Sequence, residues 1–332
     1  MPVSMKKIAE EVGCTVQSVS SVFKNNSTTR VSEQLRRKVL AVADELGYVP
    51  NRLSSALRKK RSGMIALILP WDVPEIMDMV NQEAARHDLK VLTLFTHAAD
   101  SAREADAIDA ALAYQVEGLI WTPYFDASSY LPQLARLRER KIPLVYMLNK
   151  LSELPGDFAG IDFCGGMKKS VDHLLECGYE KLYYIVPRNK FPPRDQRKEF
   201  FVKYAGSRGV LLETQLGKKA DIRGIISRRS GVIMDDFCGL TFIHEFHKRH
   251  IAIPGNVGVV IYDDHLLGGV ITVSQIMVPP MTSCRTEHGQ LGKAAVDLMI
   301  QRMSDPEREY CDTVLPMTFT VRESTKREGC KK

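Results

Sequence analysis

MKKIAEEVGCTVQSVSSVFK, residues 5–24, decides how the amino-terminal part of this chain folds. At helical spacing Ile8, Val12, Val19 and Val22 fall on inward-facing positions, with Ala9 wedged between them. Gly13 stands where a first helix must stop and turn, because glycine accepts backbone angles that other residues resist. Thr15 has the type and place of an N-cap for a second short helix, Val16 to Phe23. A small Ala9, then Gly13, then Val19 is the spacing of a helix-turn-helix. In that motif two helices cross tightly and the second enters the major groove of DNA.

Working outward, Asn25 to Arg30 is a polar loop, and Ser32 follows as the N-cap of a third helix. Val39, Val42, Ala43 and Leu46 give that helix a buried stripe, and Gly47 ends it. Three short helices around so few apolar residues make a marginal domain that needs support from a second subunit or from DNA. YVPNRLSSALRKKRSG, residues 48–63, comes next. Pro50 breaks the preceding structure and Asn51 can cap a short segment from Arg52 to Lys59. A helix this short is unstable alone. Two readings stand together: a segment that becomes helical when pinned, and a solvated basic linker.

The totals locate the charge. The chain has 332 residues and a net charge of +6, long enough for two or three domains. Residues 1–63 hold twelve Lys/Arg against five Asp/Glu, a net +7, so the remainder sums to −1. All of the positive excess lies on the candidate DNA reader, as a footprint for phosphates requires. The seven cysteines are scattered with no Cys-x-x-Cys, which argues against a disulfide framework or structural zinc and for a reducing compartment. MPVSMKK runs straight into the first helix without a signal-peptide apolar core, and no apolar run reaches transmembrane length. A cytoplasmic, nucleoid-associated protein with no membrane partner is expected.

From Met64 the pattern becomes alternating β and α. Apolar runs at Met64–Leu69, Val91–Phe95, Gly118–Thr122, Leu144–Leu148, Lys181–Val186, Gly231–Met234 and Val257–Tyr262 read as buried parallel strands. Helical stretches separate them, among them Glu75–His87, Gly166–Cys177, Asp195–Gly206 and Glu287–Arg302. Alternation with short connections predicts doubly wound parallel sheets in two α/β lobes, divided near Gly178.

The blocks VSMKKIAEEVGCTVQSVSSVF and RVSEQLRRKVLAVADELGYVPNRLSSALRKKRS, followed by GVVIYDD and VPPMTS in that order, resemble the LacI/GalR family of bacterial transcription regulators. The resemblance covers essentially the whole chain. It implies a small all-α helix-turn-helix headpiece at residues 1–48 and a hinge helix or linker at 49–63. An α/β core of doubly wound parallel sheets, two-lobed like periplasmic binding proteins, would fill 64–332. Its first lobe would hold about 64–178 plus 285–316, and its second about 179–284 plus 317–332. The resemblance further implies a homodimer on a near-palindromic DNA operator, a repressor whose affinity is set by a small-molecule effector, a sugar or related metabolite, between the lobes.

Carried over by position, Val16, Gln17 and Ser21 are the base readers. Gln17 can pair with an adenine edge and Val16 can pack on a thymine methyl. Ser21 stands where the family often has Arg. Ser4, Thr15, Arg30, Ser32, Tyr48 and Asn51 fall on phosphate-contacting positions, where capping and phosphate contact are compatible. Leu57 occupies the place of a leucine that wedges into the minor groove; packing against the partner hinge is the alternative.

Ligands of such folds bind between the lobes, at the carboxyl ends of the strands. The candidates are Trp71, Asp72, Tyr124, Asn149, Asp162, Arg194, Arg197, Asp235 and Asp263. Asp263 matches the family's strand-end aspartate, an acceptor for hydroxyls, and Arg197 the arginine that clamps a polar or anionic group. Trp71 or Tyr124 could form an apolar platform for a ring. Each also has a plainer use, capping the helix that follows. His244, His247 and His250, spaced by three, read as a solvated face rather than a metal site. Gly165–Gly166 reads as a tight turn. No nucleotide-binding glycine motif, nucleophile elbow or Cys–His pairing is present, so no enzyme, cofactor or metal is expected. The competing reading is a solute-binding or sugar-acting protein with a vestigial headpiece, and the charge on the headpiece argues against it.

Overall fold

The computed structural model describes residues 3–23, 31–49, 62–97, 100–188, 191–214 and 229–327. The chain divides into two compact units, Met1–Ser62 and Gly63–Lys332.

In the first unit, α1 (Met5–Val12), α2 (Val16–Phe23) and α3 (Glu33–Glu45) enclose a core of Ile8, Ala9, Val12, Val19, Val22, Val39 and Ala43. Gly13 ends α1 at φ 75°, in the left-handed region expected for it. Thr15 Oγ1 accepts from the Ser18 N–H at 3.1 Å, and Ser32 Oγ from the Leu35 N–H at 3.3 Å, so both helices start on side-chain caps. Lys38 Nζ donates to the Val12 carbonyl at 3.1 Å, fastening α3 to the end of α1. Val42 and Leu46 are only half-buried at the edge of this core.

The second unit holds two six-stranded sheets. The first runs β13-β5-β4-β3-β1-β2 and is parallel throughout. Its strands are β1 (Met64–Leu69), β2 (Lys90–Phe95), β3 (Leu119–Trp121), β4 (Leu144–Met147), β5 (Asp157–Ile161) and β13 (Asp312–Leu315). The second runs β14-β12-β9-β8-β6-β7 and is parallel except where β14 pairs antiparallel with β12. It contains β6 (Lys181–Pro187), β7 (Gly209–Thr214), β8 (Ser230–Asp235), β9 (Val257–Tyr262), β12 (Thr282–Arg285) and β14 (Thr318–Thr320). A small ribbon, β10 (Leu266–Leu267) with β11 (Ile271–Thr272), follows β9.

Around the first sheet lie α4 (Pro74–Arg86), α5 (Ser101–Ala113), α6 (Leu131–Glu139) and α11 (His288–Ser304); α4 and α11 pack on each other. With the second sheet go α7 (Phe163–Glu176), α8 (Pro192–Ala205), α9 (Asp236–Lys248) and the short α10 (Val273–Ile276). The sequence division near Gly178 falls too late. α7 already packs on α8, β12 and β14, burying Met167, Val171 and Leu174, so the chain changes lobe at the end of β5. It crosses back between Arg285 and His288, and again between Leu315 and Thr318. α8 begins at Pro192, earlier than Asp195, because proline fits the first turn of a helix. No helix among the described residues is long and apolar enough to cross a membrane.

Candidate nucleic-acid interface and interlobe cleft

In the first unit, α2 buries Val19 and Val22 and leaves Val16 45 % exposed, with Gln17 beside it on the same open face. Both side chains are open to solvent. Ser21 is covered instead: it is 7 % exposed, a short side chain beside the buried Val22. Ser4 caps α1, with Oγ accepting from the Lys7 N–H at 3.3 Å, and stays exposed. Thr15 and Ser32, the caps of α2 and α3, are both exposed, and a hydroxyl that accepts its capping bond still has an O–H to donate to a phosphate oxygen. Tyr48 packs its ring on Phe23 at 5.4 Å, so part of its role is to close the core. Arg30, Asn51 and Leu57 lie outside the described residues.

In the second unit, the strand ends of both sheets meet across a cleft. Trp71 follows β1, Tyr124 follows β3, and Phe191 precedes α8 on the other lobe. Phe191, not anticipated from sequence, stacks on Tyr124 (5.5 Å, 12°) and meets Trp71 edge-on at 5.0 Å. Trp71 and Tyr124 are themselves edge-to-face at 5.8 Å. The three rings form an aromatic wall spanning the lobes. The Tyr124 loop is held from behind by Glu104 of α5, which is fully buried. Its carboxylate accepts from Trp121 Nε1 (2.6 Å), Tyr130 Oη (2.6 Å) and the Tyr124 N–H (3.1 Å). Burial pushes this carboxyl above the usual range, and those three donors only partly offset it.

The strand ends of the second lobe carry a charged group. Arg197 is 2 % exposed, its guanidinium 4.8 Å over the Phe163 ring and 5.2 Å over Tyr262. It lies 3.8 Å from Asp235 Oδ2 and 3.5 Å from Asp263 Oδ2, while its Nε is buried without a hydrogen-bond partner. Asp235 also accepts from Tyr184 Oη (3.2 Å) and pairs with Arg194 (3.4 Å). The guanidinium expected to clamp a ligand is therefore already committed to two carboxylates, and Arg194, on the first turn of α8, is the more accessible cation. Asp263 adopts φ 60° just past β9 and accepts from Thr286 Oγ1 at 2.8 Å. Burial would raise its pKa, but His265, Arg197, His288 and that hydroxyl hold it well below the usual carboxylate range.

Asp72, three residues past β1, is exposed. Asn149 spends its amide on the Pro123 carbonyl at 2.9 Å, bracing the Tyr124 loop. Asp162 takes the plainer of its two expected uses. It caps α7, accepting from the Gly165 N–H at 2.7 Å, so Gly165–Gly166 is a helix start. Sequence reasoning also missed Glu75, Thr286, His265 and His288. His265 alone had a local signal, lying two residues past the strand-end Asp263. His244, His247 and His250 are exposed, as a solvated face should be.

Known proteins share this fold. Residues 4–51 match the family described as bacterial regulatory proteins, lacI family, and residues 171–325 match the periplasmic binding protein-like domain. The transcriptional regulator PtxS of Pseudomonas plecoglossicida is 25 % identical over 97 % of this chain and 96 % of its own length. The lactose operon repressor of Escherichia coli is 23 % identical over 98 % and 91 %. Among solved structures, a Lac repressor dimer bound to operator and the anti-inducer ONPF superposes with a TM-score of 0.82 at 21 % identity, covering 98 % of this chain and 99 % of that one. A CelR–cellobiose complex gives a TM-score of 0.66 at 20 % identity, covering 97 % and 99 %. A lacI-type reader joined to a two-lobed binding-protein core makes this chain a member of the LacI family of bacterial regulatory proteins.

Proposed function

We propose that the chain is a sequence-specific, operator-binding transcriptional repressor that acts as a homodimer in the cytoplasm. Residues 1–48 serve as reader, 49–63 as hinge and 64–332 as effector core. The carrying observation is the open face of α2, where Val16 and Gln17 stand exposed on a helix capped by Thr15, in the segment that carries the chain's whole positive excess. Gln17 and Val16 read bases, Ser4, Thr15, Arg30, Ser32, Tyr48 and Asn51 fix register on phosphates, and Leu57 wedges the minor groove.

The effector reading is a small polar molecule with a ring, such as a sugar or related metabolite. The aromatic wall of Trp71, Tyr124 and Phe191 suits a ring face, and Asp72, Arg194 and Asp263 supply polar groups around it. The named relatives are regulators and operon repressors, which favours this over a solute-binding or sugar-acting protein.

Footprinting on genomic fragments at two salt concentrations tests it. A protected near-palindrome should appear whose affinity falls steeply with salt, and Gln17→Ala should cost about 1–3 kcal/mol at one symmetric base position. Protection that is indifferent to sequence, or unchanged by Gln17→Ala, would remove the reader from the account.

A further inference from the structure

Asp263, one of the polar groups of the effector reading, converges with two histidines that this reading does not use. Asp263 follows β9 and His265 lies two residues on, both from the second lobe. His288 opens α11 of the first lobe. One donor atom from each can be chosen so that all lie within 4.8 Å of one another. We infer that Asp263, His265 and His288 form a binding site for a divalent transition cation of the zinc, cobalt or nickel class.

The chemistry of the set selects that class. Two imidazoles and one carboxylate are poor ligands for magnesium or calcium, which prefer oxygen, and good ones for borderline divalent metals. The spacing is near what such a metal needs. His288 Nε2 stands 4.0 Å from Asp263 Oδ1, and two metal bonds of the usual length at a tetrahedral angle place their donors about 3.4 Å apart. A small rotamer adjustment closes that difference. The two imidazoles already lie face to face, 5.1 Å apart at 28°.

A second observation points the same way. His288 is 4 % exposed, yet its buried Nδ1 has no hydrogen-bond partner. The nearest carboxylate oxygen to Nδ1 is Glu75 Oε1 at 3.9 Å. A buried ring nitrogen without a hydrogen-bond partner is costly. A cation on Nε2 would fix the tautomer with hydrogen on Nδ1 and turn it toward Glu75, the carboxylate–histidine–metal arrangement that orients such ligands. Glu75 is itself anchored by Arg285 at 2.7 Å.

The other charges here are compatible with a dication. Arg197 approaches Asp263 on Oδ2, leaving Oδ1, which accepts from Thr286, turned toward His288. Around the site Arg194, Arg197 and Arg285 face Asp235, Asp263, Glu75 and Glu287, four carboxylates against three guanidiniums. Because the ligands come from both lobes, a bound metal ties one lobe to the other. Three protein ligands leave positions open for water or a ligand oxygen. The inference stands whether or not an organic effector also binds.

The test is titration of the metal-free full-length protein with cobalt(II), followed by visible ligand-field absorption, with zinc(II) competition. One saturable site per chain is expected. His265→Gln and His288→Gln should each weaken it at least tenfold and change the spectrum. Glu75→Gln, a positioning change, should weaken it about tenfold while leaving the absorption bands in place. The triple change His244→Ala, His247→Ala, His250→Ala should leave it untouched. Absence of saturable binding up to millimolar cobalt would overturn the inference. So would binding unchanged by His265→Gln, or lost only in the triple variant. Should His288→Gln fail to fold, His265→Gln, on the half-exposed ribbon segment, decides the matter.

Discussion

The fully buried Glu104 shows how one residue sets the geometry of the cleft from outside it. Its carboxylate gathers the Trp121 N–H, the Tyr130 hydroxyl and the Tyr124 backbone N–H, and so fixes the loop that presents the Tyr124 ring. Glu104→Gln keeps the shape but replaces one acceptor with an amide that cannot accept from Tyr130. A loss of about 1–3 kcal/mol in urea unfolding is expected, together with altered fluorescence of the buried Trp121. Unchanged stability and fluorescence would show that the network does not hold the loop. His173 of α7 makes a different point. It is half-buried against Phe319, with Nε2 at 2.8 Å from Thr325 Oγ1, and desolvation outweighs the attraction of Glu176 to lower its pKa. A histidine whose folded pKa is depressed favours the neutral form. Its contribution is full above the unfolded value of about 6.5 and is lost as pH falls through the lower folded value. The stability difference between the wild type and His173→Gln should therefore shrink below about pH 6.5, read from urea midpoints at several pH values. A difference independent of pH would contradict this.

At the scale of elements, α1 and α2 were legible because each structural demand had its own residue. Ile8, Val12, Val19 and Val22 supply the stripe, Thr15 the cap and Gly13 the left-handed turn. At Gly13 an added Cβ would meet nothing within 4 Å, so the demand is one of backbone angle alone. Gly13→Ala should thus cost about 1–2 kcal/mol, a large fraction of a small headpiece's stability, and lower operator affinity through the unfolded fraction. Retention of both wild-type headpiece stability and affinity would mean the turn tolerates a side chain. β1, β8 and β9 were equally plain, since strands buried on both faces spell continuous apolar runs. β7, GVLLET, is half-buried at a sheet edge, and β13 and β14 are short and partly exposed, so their sequences carry little pattern. The cleft was legible one strand end at a time. Asp263 and Arg197 could be placed by position, but Phe191 against Tyr124, or His265 against His288, required knowing which strand ends the three crossovers bring together. Ser21, by contrast, is covered because position on a helix does not guarantee that a short side chain emerges from it.

For the whole molecule, the division into Met1–Ser62 and Gly63–Lys332 has an energetic consequence. The headpiece core is seven small-to-medium apolar side chains, three of them valines from α1 and α2 and two of them alanines. The second unit carries three larger clusters containing Trp121, Tyr130, Phe201 and Phe246. Stability rises with the fraction of surface a unit can bury, and a unit of this smaller size is marginal. Thermal unfolding of the full chain should accordingly show two transitions, the headpiece first. A ligand that binds only the folded reader stabilises that reader alone. Operator DNA at one hundred times its dissociation constant contributes about 2.7 kcal/mol, which moves the midpoint of a domain this small by more than about 10 °C. The upper transition should stay where it was, and an effector or metal held in the cleft should do the converse, raising the upper transition in protein without DNA. Differential scanning calorimetry with operator, with a scrambled duplex and with cobalt(II) separates these effects. A single transition that all ligands shift together would show instead that the reader and the core unfold as one cooperative unit, and that neither part can be analysed as an independent domain.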